Sequence, residues 1–389
     1  MIKNFQEKID FLNKNNLYRK LVESDAVDAI TIKRGTKKLT SFCSNDYFGL
    51  SHNLSVKKAA LDTINKYGVG SGSSRYISGN NSLYLKLEKQ IARMKNCDEA
   101  MVFSSGYQAA VGAIPALVGD GDLVVADKLI HSCLLDGVRL SGATLTRFRH
   151  NDIDHCKKLI DANKQHYKKI LIITETVFSM DGDVGKVFEL QEIAQKNNCL
   201  LLTDAAHDID FNGLKTIEDF ARRKKNLPKN TKNSAQNYDL HLQMGTLSKA
   251  AGSFGGYISG NKTLINYLRN FARSAIYTTA LPPAILAASM QSLKIIEKKN
   301  LGKKVLENAQ YFCQLMNLPQ PQSAIIVIKI GDNKKVLQIA ENVAQQGFLI
   351  SAIRPPTVEP KGARLRITFS ALHKKQQIKK LAQILMKCK

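Results

Sequence analysis

No stretch of this sequence approaches the ~18 consecutive apolar residues of a membrane-spanning helix, so no membrane partner is expected. Residues 1–10 (MIKNFQEKID) lack the apolar run of a secretory signal. There is no Cys-x-x-Cys pair. The 7 cysteines (Cys43, Cys97, Cys133, Cys156, Cys199, Cys313 and Cys388) are odd in number and far apart, which argues against a disulfide framework and against a metal site. A reducing, cytoplasmic compartment fits that usage. Internal repeats and low-complexity tracts are missing, and apolar residues, 44% of the chain, are spread throughout, which excludes fibrous and disordered classes.

Acidic residues are also scarce. Against 57 Lys and Arg stand 33 Asp and Glu, leaving a net charge of +24. Such an excess suits nucleic acid, an acidic surface or anionic ligands. However, the lysines are scattered along the whole chain, and no zinc finger or aromatic-interleaved basic motif accompanies them. No nucleic-acid partner is therefore expected, and most of the excess reads as solvated faces.

The 389 residues allow two or three domains, or one large α/β domain with an appendage. A polar helix is expected over about Lys3–Glu23, then a strand pair near Ala29–Ile32 and Leu39–Phe42. From about residue 50 short apolar strands alternate with amphipathic helical runs: strands at Ala100–Phe103, Leu123–Ala126, Thr144–Phe148, Ile170–Thr174, Leu200–Thr203, Leu240–Met244 and Gly256–Ile258. Helices are expected between them at Leu83–Met94, Ile153–Asn163 and Val187–Asn197. That rhythm predicts an α/β fold with a mainly parallel sheet covered on both faces. After Pro282-Pro283 and a long helix, a smaller α+β pattern follows, with one strand region at Phe348–Ile353 and another at Arg364–Phe369. The expected division is an N-terminal helical arm over 1–50, a large domain over 51–285 and a small domain over 286–389. Residues 215–237, polar and basic, break the rhythm and read as a surface excursion.

Chemistry concentrates at the strand ends. Lys249 follows a strand among Gly, Ala and Ser, an unusual setting for a lysine. It reads either as an amine able to form a Schiff base with an aldehyde or as a structural lysine with a carboxylate partner. Asp204 ends a buried strand, where α/β proteins place ligands, with His207 close behind. A carboxylate there can keep a pyridinium nitrogen protonated, or merely cap a helix. The run Phe103-Ser104-Ser105-Gly106-Tyr107 leads from strand to helix and offers free backbone N–H groups to a phosphate. His131 could stack on a flat ring or fill the core. Phe178-Ser179-Met180-Asp181-Gly182-Asp183 reads as a ligand loop or a tight turn.

In this order these segments resemble the fold type I pyridoxal-phosphate enzymes, and more narrowly the α-oxoamine synthases. The likeness extends to Ser44-Asn45-Asp46-Tyr47-Phe48-Gly49-Leu50, Gly70-Ser71-Gly72-Ser73-Ser74-Arg75 and Ile276-Tyr277-Thr278-Thr279-Ala280-Leu281-Pro282-Pro283. The C-terminal runs Ser351–Val358 and Gly362–Thr368 are most similar to the branch that condenses L-alanine with a pimeloyl thioester of coenzyme A or an acyl-carrier protein. The alternative is another α-oxoamine synthase using a different amine or acyl group. The resemblance implies the following roles. Lys249 carries pyridoxal 5'-phosphate and moves protons, Asp204 pairs with the ring nitrogen, His207 contacts the ring hydroxyl, His131 stacks on the ring and meets substrate, and Ser179 touches the ring-oxygen side. Gly106, Tyr107 and Thr246 hold the phosphate. Thr278 and Thr279 match a segment that reaches the phosphate from a neighbouring subunit, implying a homodimer with a shared active site. Asn45 and Arg366 match binders of the amino-acid carboxylate, and Arg19, Thr357 and Arg354 belong to the acyl-substrate region.

The sequence departs from the family after Asp204. Where Asp-Asp-Ala-His-Gly-Thr-Gly is usual, it reads Asp204-Ala205-Ala206-His207-Asp208-Ile209-Asp210, so a different loop backbone is expected there. The usual Asn of the phosphate helix is Ala110.

Overall fold

The computed structural model describes residues 1–209 and 239–388. The expected excursion at 215–237 and the loop residues from Asp210 onward lie outside the described residues. The chain forms two compact units: residues 50–178 with 183–301, and residues 1–49, 179–182 and 302–389.

The first of these, the larger, is built on a seven-stranded sheet. Its strands are β4 (Glu99–Phe103), β5 (Leu123–Asp127), β6 (Thr144–Phe148), β7 (Ile170–Glu175), β8 (Leu200–Asp204), β9 (His241–Thr246) and β10 (Gly256–Gly260), in the order β4-β10-β9-β8-β7-β5-β6. All run parallel except β10, which is antiparallel to both β4 and β9. The apolar runs are continuous because both faces are covered. Leu123 and Val125 point into one core with Ile172, Leu201 and the helices Ile153–Asn163 and Val187–Lys196. Val124 and Ala126 point into the other, with Leu171, Ile173, Leu202, Met244 and the helices Gly106–Leu117 and Ser132–Ser141. Each such aliphatic side chain taken fully from water stabilises the fold by about 1.5–3 kcal/mol.

Small residues set the spacing on that second face. A Cβ on Gly137 would stand 2.9 Å from the Ala110 carbonyl oxygen, and one on Gly112 would overlap the Ser274 hydroxyl. Ala110 is therefore sealed against the neighbouring helix. Polar caps start the helices: Asn53, Asn81, Ser105, Asp152 and Asn261 each accept a backbone N–H of the first turn. The helix Pro283–Lys298, inside which the expected boundary at 286 falls, belongs to this unit, where it packs on the helix Leu54–Tyr67.

The second unit carries two small sheets. One is β1 (Asp25–Ala26), β2 (Thr31–Arg34), β3 (Lys37–Ser41) and β12 (Phe348–Leu349), with β12 parallel to β3. The other is antiparallel: β11 (Ile325–Gly331), β14 (Ala363–Thr368) and β13 (Ser351–Ile353). The single strand region expected at Phe348–Ile353 thus splits at Ile350 and serves two sheets. The β2–β3 hairpin turns on Gly35, whose φ of +57° suits a two-residue turn. Helices Leu301–Met316, Asn333–Gln345 and Lys375–Lys387 complete the unit. His373 stacks on Phe42 with ring centroids 3.8 Å apart, and burial holds its imidazole down at about 4.

The N-terminal helix is shorter than the sequence suggested. It covers Ile2–Lys14 and stops because Asn16 takes a left-handed conformation, φ +56°. The Leu17 N–H then bonds the Leu12 carbonyl at 2.8 Å, and the Asn16 N–H the Asn13 carbonyl at 3.1 Å. Those paired bonds close the helix end with Asn in the place often taken by Gly. No helix among the described residues is long and apolar enough to cross a membrane.

Candidate active site

In the larger unit the C-terminal ends of the parallel strands share one edge of the sheet. At that edge of an open α/β sheet the strands release their side chains into a common crevice. Several of the expected residues lie there. Asp204 closes β8 and is buried. Its Oδ1 accepts the Ala206 N–H at 2.9 Å, while Oδ2 makes no hydrogen bond among the described residues. His207, also buried, lies in the turn that follows. Lys249, half-buried in the turn after β9, brings its Nζ to 2.7 Å from His207 Nε2. That contact places an imidazole beside the Lys249 amine.

His131 caps the helix Ser132–Ser141, with its Nδ1 accepting the Cys133 N–H at 3.2 Å. It is solvent-exposed, so it is not a core histidine. The protein packed beside its ring still lowers its pKa. Asp204 raises it and Lys249 lowers it, which places the imidazole within the field of both.

Gly106 opens the helix Gly106–Leu117, and Ser105 caps it by accepting the Gln108 N–H. A Cβ at Gly106 would come within 3.7 Å of Thr246 Cβ, so the missing side chain leaves a space between this helix start and the end of β9. The Thr246 hydroxyl donates to the Gly255 carbonyl at 2.8 Å and lies 2.7 Å from the Ser248 hydroxyl. Ser248 is an additional hydroxyl at this edge that the sequence reading passed over. Tyr107 is exposed and its hydroxyl donates to Asp136. Thr279 pairs with Ser74 of the same chain, beside Thr278.

An open helix start with a glycine, a carboxylate oxygen without a partner, an amine beside an imidazole and an exposed imidazole together fit pyridoxal phosphate. They match in turn its phosphate, ring nitrogen, aldehyde and ring face.

The smaller unit gathers the other candidates. On β14 the side chains of Arg364 and Arg366 alternate onto one face, and both are buried. Arg364 is neutralised by Asp181 at 2.6 Å and Glu359 at 2.7 Å. Arg366 has no carboxylate within ion-pair distance among the described residues. Its Nε donates to the Ser179 carbonyl at 2.7 Å, Nη1 to the Thr368 hydroxyl and Nη2 to Asn45 Oδ1, each at 3.2 Å. A buried guanidinium held only by neutral oxygens keeps its charge for an incoming anion. Arg19 donates to the Thr357 hydroxyl at 2.8 Å, and Arg354 to the Asn16 carbonyl at 2.5 Å. Burial, then the nearby Arg19 charge, lowers the Arg354 pKa, so these two guanidiniums form a second cationic patch, with no ion pair among the described residues.

Sequence reasoning missed two polar networks in the larger unit. His150 sits between Asp127 and Asp183, at 3.0 and 2.7 Å. Lys95 and Asp208 form a buried ion pair. The polar cluster Arg149-His150-Asn151-Asp152 after β6 was a visible sign of the first. The second had half a sign, the unusual Asp208.

Residues 37–385 match the family described as aminotransferase class I and II. An 8-amino-7-oxononanoate synthase from Beijerinckia indica is 40% identical over 382 residues, covering 97% of this chain and 95% of that protein. The solved structure of an 8-amino-7-oxononanoate synthase from Francisella tularensis is 26% identical, with a TM-score of 0.71 over 90% of this chain and 97% of that one. Serine palmitoyltransferase from Sphingomonas wittichii, 22% identical, shares the fold with a TM-score of 0.86 over 99% of this chain and 96% of its own.

Proposed function

The chain belongs to the aminotransferase class I and II family and, within it, groups with the 8-amino-7-oxononanoate synthases; from that premise we propose how its residues carry out the reaction. It is a fold type I pyridoxal-phosphate acyltransferase. L-alanine and a pimeloyl thioester give 8-amino-7-oxononanoate, carbon dioxide and the free thiol, a step of biotin biosynthesis. The observation that carries the assignment of roles is Lys249 Nζ at 2.7 Å from His207 Nε2, at the strand edge that also bears Asp204.

When bound, pyridoxal phosphate supplies an electron sink for negative charge at the amino-acid α-carbon. Lys249 Nζ would hold its aldehyde carbon until the alanine amine takes that place, and the freed amine would then be the base that takes and returns the α-proton. His207 Nε2 shares a hydrogen with that amine and so steadies it. The Asp204 carboxylate holds a proton on the ring nitrogen, an arrangement a buried anion favours. His131 covers the ring and orients the substrate amine. Backbone N–H groups of Gly106 and Tyr107, with the Thr246 hydroxyl, bind the phosphate at the positive end of their helix. Arg366, steadied by Asn45 and the Ser179 carbonyl, takes the alanine carboxylate through a two-pronged contact. Arg19, Arg354 and Thr357 receive the anionic acyl donor.

Three finer points belong to the same reading. Thr278 and Thr279 reach the phosphate of a second copy, so the enzyme works as a homodimer. An acidic acyl-carrier protein is a suitable donor, because a chain of +24 would speed its encounter. The place of action is the cytoplasm, which the 7 free cysteines support.

The test is release of free thiol from pimeloyl-coenzyme A across a panel of amino acids. Release is expected with L-alanine alone. Release with glycine or serine but not alanine would move the chain to another α-oxoamine branch. Lys249→Ala is expected to lose both turnover and the visible absorption of the bound cofactor.

A further inference from the structure

Among its described residues the larger unit holds one ion pair almost wholly removed from water. Lys95 ends the helix Ser82–Lys95, and its Nζ lies 3.6 Å from Asp208 Oδ2, with side chains only 1% and 4% exposed. Asp208 Oδ1 accepts the Thr176 hydroxyl. Thr176, the residue after β7, donates its own N–H to the Asp204 carbonyl at 2.9 Å. The Asp208 N–H reaches the Ala205 carbonyl at 3.3 Å, closing the turn in which His207 sits. The ammonium of Lys95 is thus linked, through Asp208 and Thr176, to the strand end bearing Asp204, and Asp208 is covalently next to His207.

Stability alone does not account for this pair. Two charges taken out of water recover little more than their desolvation, and two well-packed apolar side chains commonly serve as well or better. What an ion pair adds is a single geometry and a local charge balance. Burial raises the pKa of Asp208, Lys95 pulls it back, and Asp204 is close enough to raise it further. Without Lys95, Asp208 would press its charge on Asp204 or take up a proton, and either outcome changes the charge balance at the strand end.

We propose that Lys95 and Asp208 are a positioning pair that locks the turn 205–208, keeping His207 on Lys249 and balancing charge beside Asp204. The inference rests on the reading of Lys249 and Asp204 as cofactor-holding residues. Neither Lys95 nor Asp208 touches cofactor or substrate in it.

The test uses the full chain with pyridoxal phosphate and the variants Lys95→Met, Asp208→Asn and the double variant. Three quantities are read: the thermal midpoint, the dissociation constant for pyridoxal phosphate, and the pH midpoint of the visible absorption of the bound cofactor. The single variants should bind the cofactor roughly tenfold more weakly and shift the pH midpoint by about half a unit or more. The double variant carries no unpaired buried charge, so its thermal midpoint should return towards the wild-type value while its pH midpoint stays shifted. A pair that only held the fold together would have both restored. The pH midpoint of the double variant decides: shifted, the proposal stands; equal to wild type, it is overturned. Should the double variant not fold, Lys95→Arg, which keeps both charges but moves one, is judged by the same criterion. If wild type takes up no cofactor, or if Lys249→Ala keeps the same visible absorption, the reading of Lys249 fails and the proposal falls with it. An unshifted double variant in a chain whose Lys249→Ala form has lost the absorption defeats the pair alone.

Discussion

His150 offers the sharpest quantitative test of the electrostatics. Its Nδ1 lies 3.0 Å from Asp127 Oδ1 and its Nε2 2.7 Å from Asp183 Oδ2. Phe178 stands edge-on at 4.4 Å between centroids. Asn151 joins the same carboxylates, through its N–H to Asp127 and its side-chain amide to Asp183. The clasp ties the end of β5 to the chain returning after Phe178, where Val177 and Val184 pair. Desolvation alone would lower the imidazole pKa, but the hydrogen bonds and charges of Asp127 and Asp183 outweigh it, and the pKa is pushed up to about 10.

The sign follows from linkage. A histidine that binds its proton more tightly when folded stabilises the fold fully below its unfolded pKa of about 6.5, and that stabilisation fades as pH rises towards 10. A shift from 6.5 to about 10 corresponds to a ceiling of ~5 kcal/mol at about 1.4 kcal/mol per unit. A quarter of the side chain is exposed, 26%, so solvent screening brings the working figure to ~2 kcal/mol. His150→Gln keeps hydrogen-bonding groups but no charge. At pH 6 it should lower the thermal midpoint of the larger unit by ~4–8 °C, taking about 2–4 °C per kcal/mol for a unit of this size. The comparison is made by calorimetry of both chains with cofactor saturating, from pH 6 to 10.5. Because the other titrating groups are common to both, the difference between the two chains isolates His150. It should shrink steadily above pH 6.5 and vanish by about pH 10.5. A difference that stays constant across this range would mean that His150 acts by packing alone, and the charge argument would be refuted.

Two further contrasts test the anion sites of the smaller unit. Arg366→Lys keeps the charge but loses the fork, and should raise KM for alanine about 10- to 100-fold with little change in thermal midpoint; Arg364→Met, which strands Asp181 and Glu359, should do the reverse, as read by steady-state kinetics and thermal unfolding together. Arg19→Ala removes the bond to Thr357 and one charge of the cationic patch, so KM should rise about tenfold for the pimeloyl thioester and stay unchanged for alanine.

The strands of the larger sheet were legible because burial on both faces writes a plain signal. Ile170–Ile173 is apolar at every position, and the runs Thr144–Phe148 and Ile153–Asn163 fall where the pattern places them. The ends of elements were harder to read, since single residues decide them. The periodic pattern past Lys14 gave no hint that Asn16 would adopt a left-handed backbone and stop the first helix. At Phe348–Ile353 six residues with one pattern serve two sheets, because hydrogen-bond partners are chosen by what lies alongside, β3 for Phe348 and Leu349, β14 for Ser351–Ile353. The candidate site divides in the same way. Residues whose type alone carries chemistry, such as Lys249 and Asp204, stand out in a string of letters. A residue whose meaning is relational does not. Arg364 and Arg366 look alike in sequence, yet only the structure shows that Asp181 and Glu359 neutralise the first and leave the second charged. Asp208, which in the sequence signalled only a different loop backbone, is paired in the fold with Lys95, far away in sequence. Such a partner lowers the cost of a carboxylate buried where a glycine is usual, beside Asp204. The letter at 208 names no such partner, because only folding brings Lys95 to it.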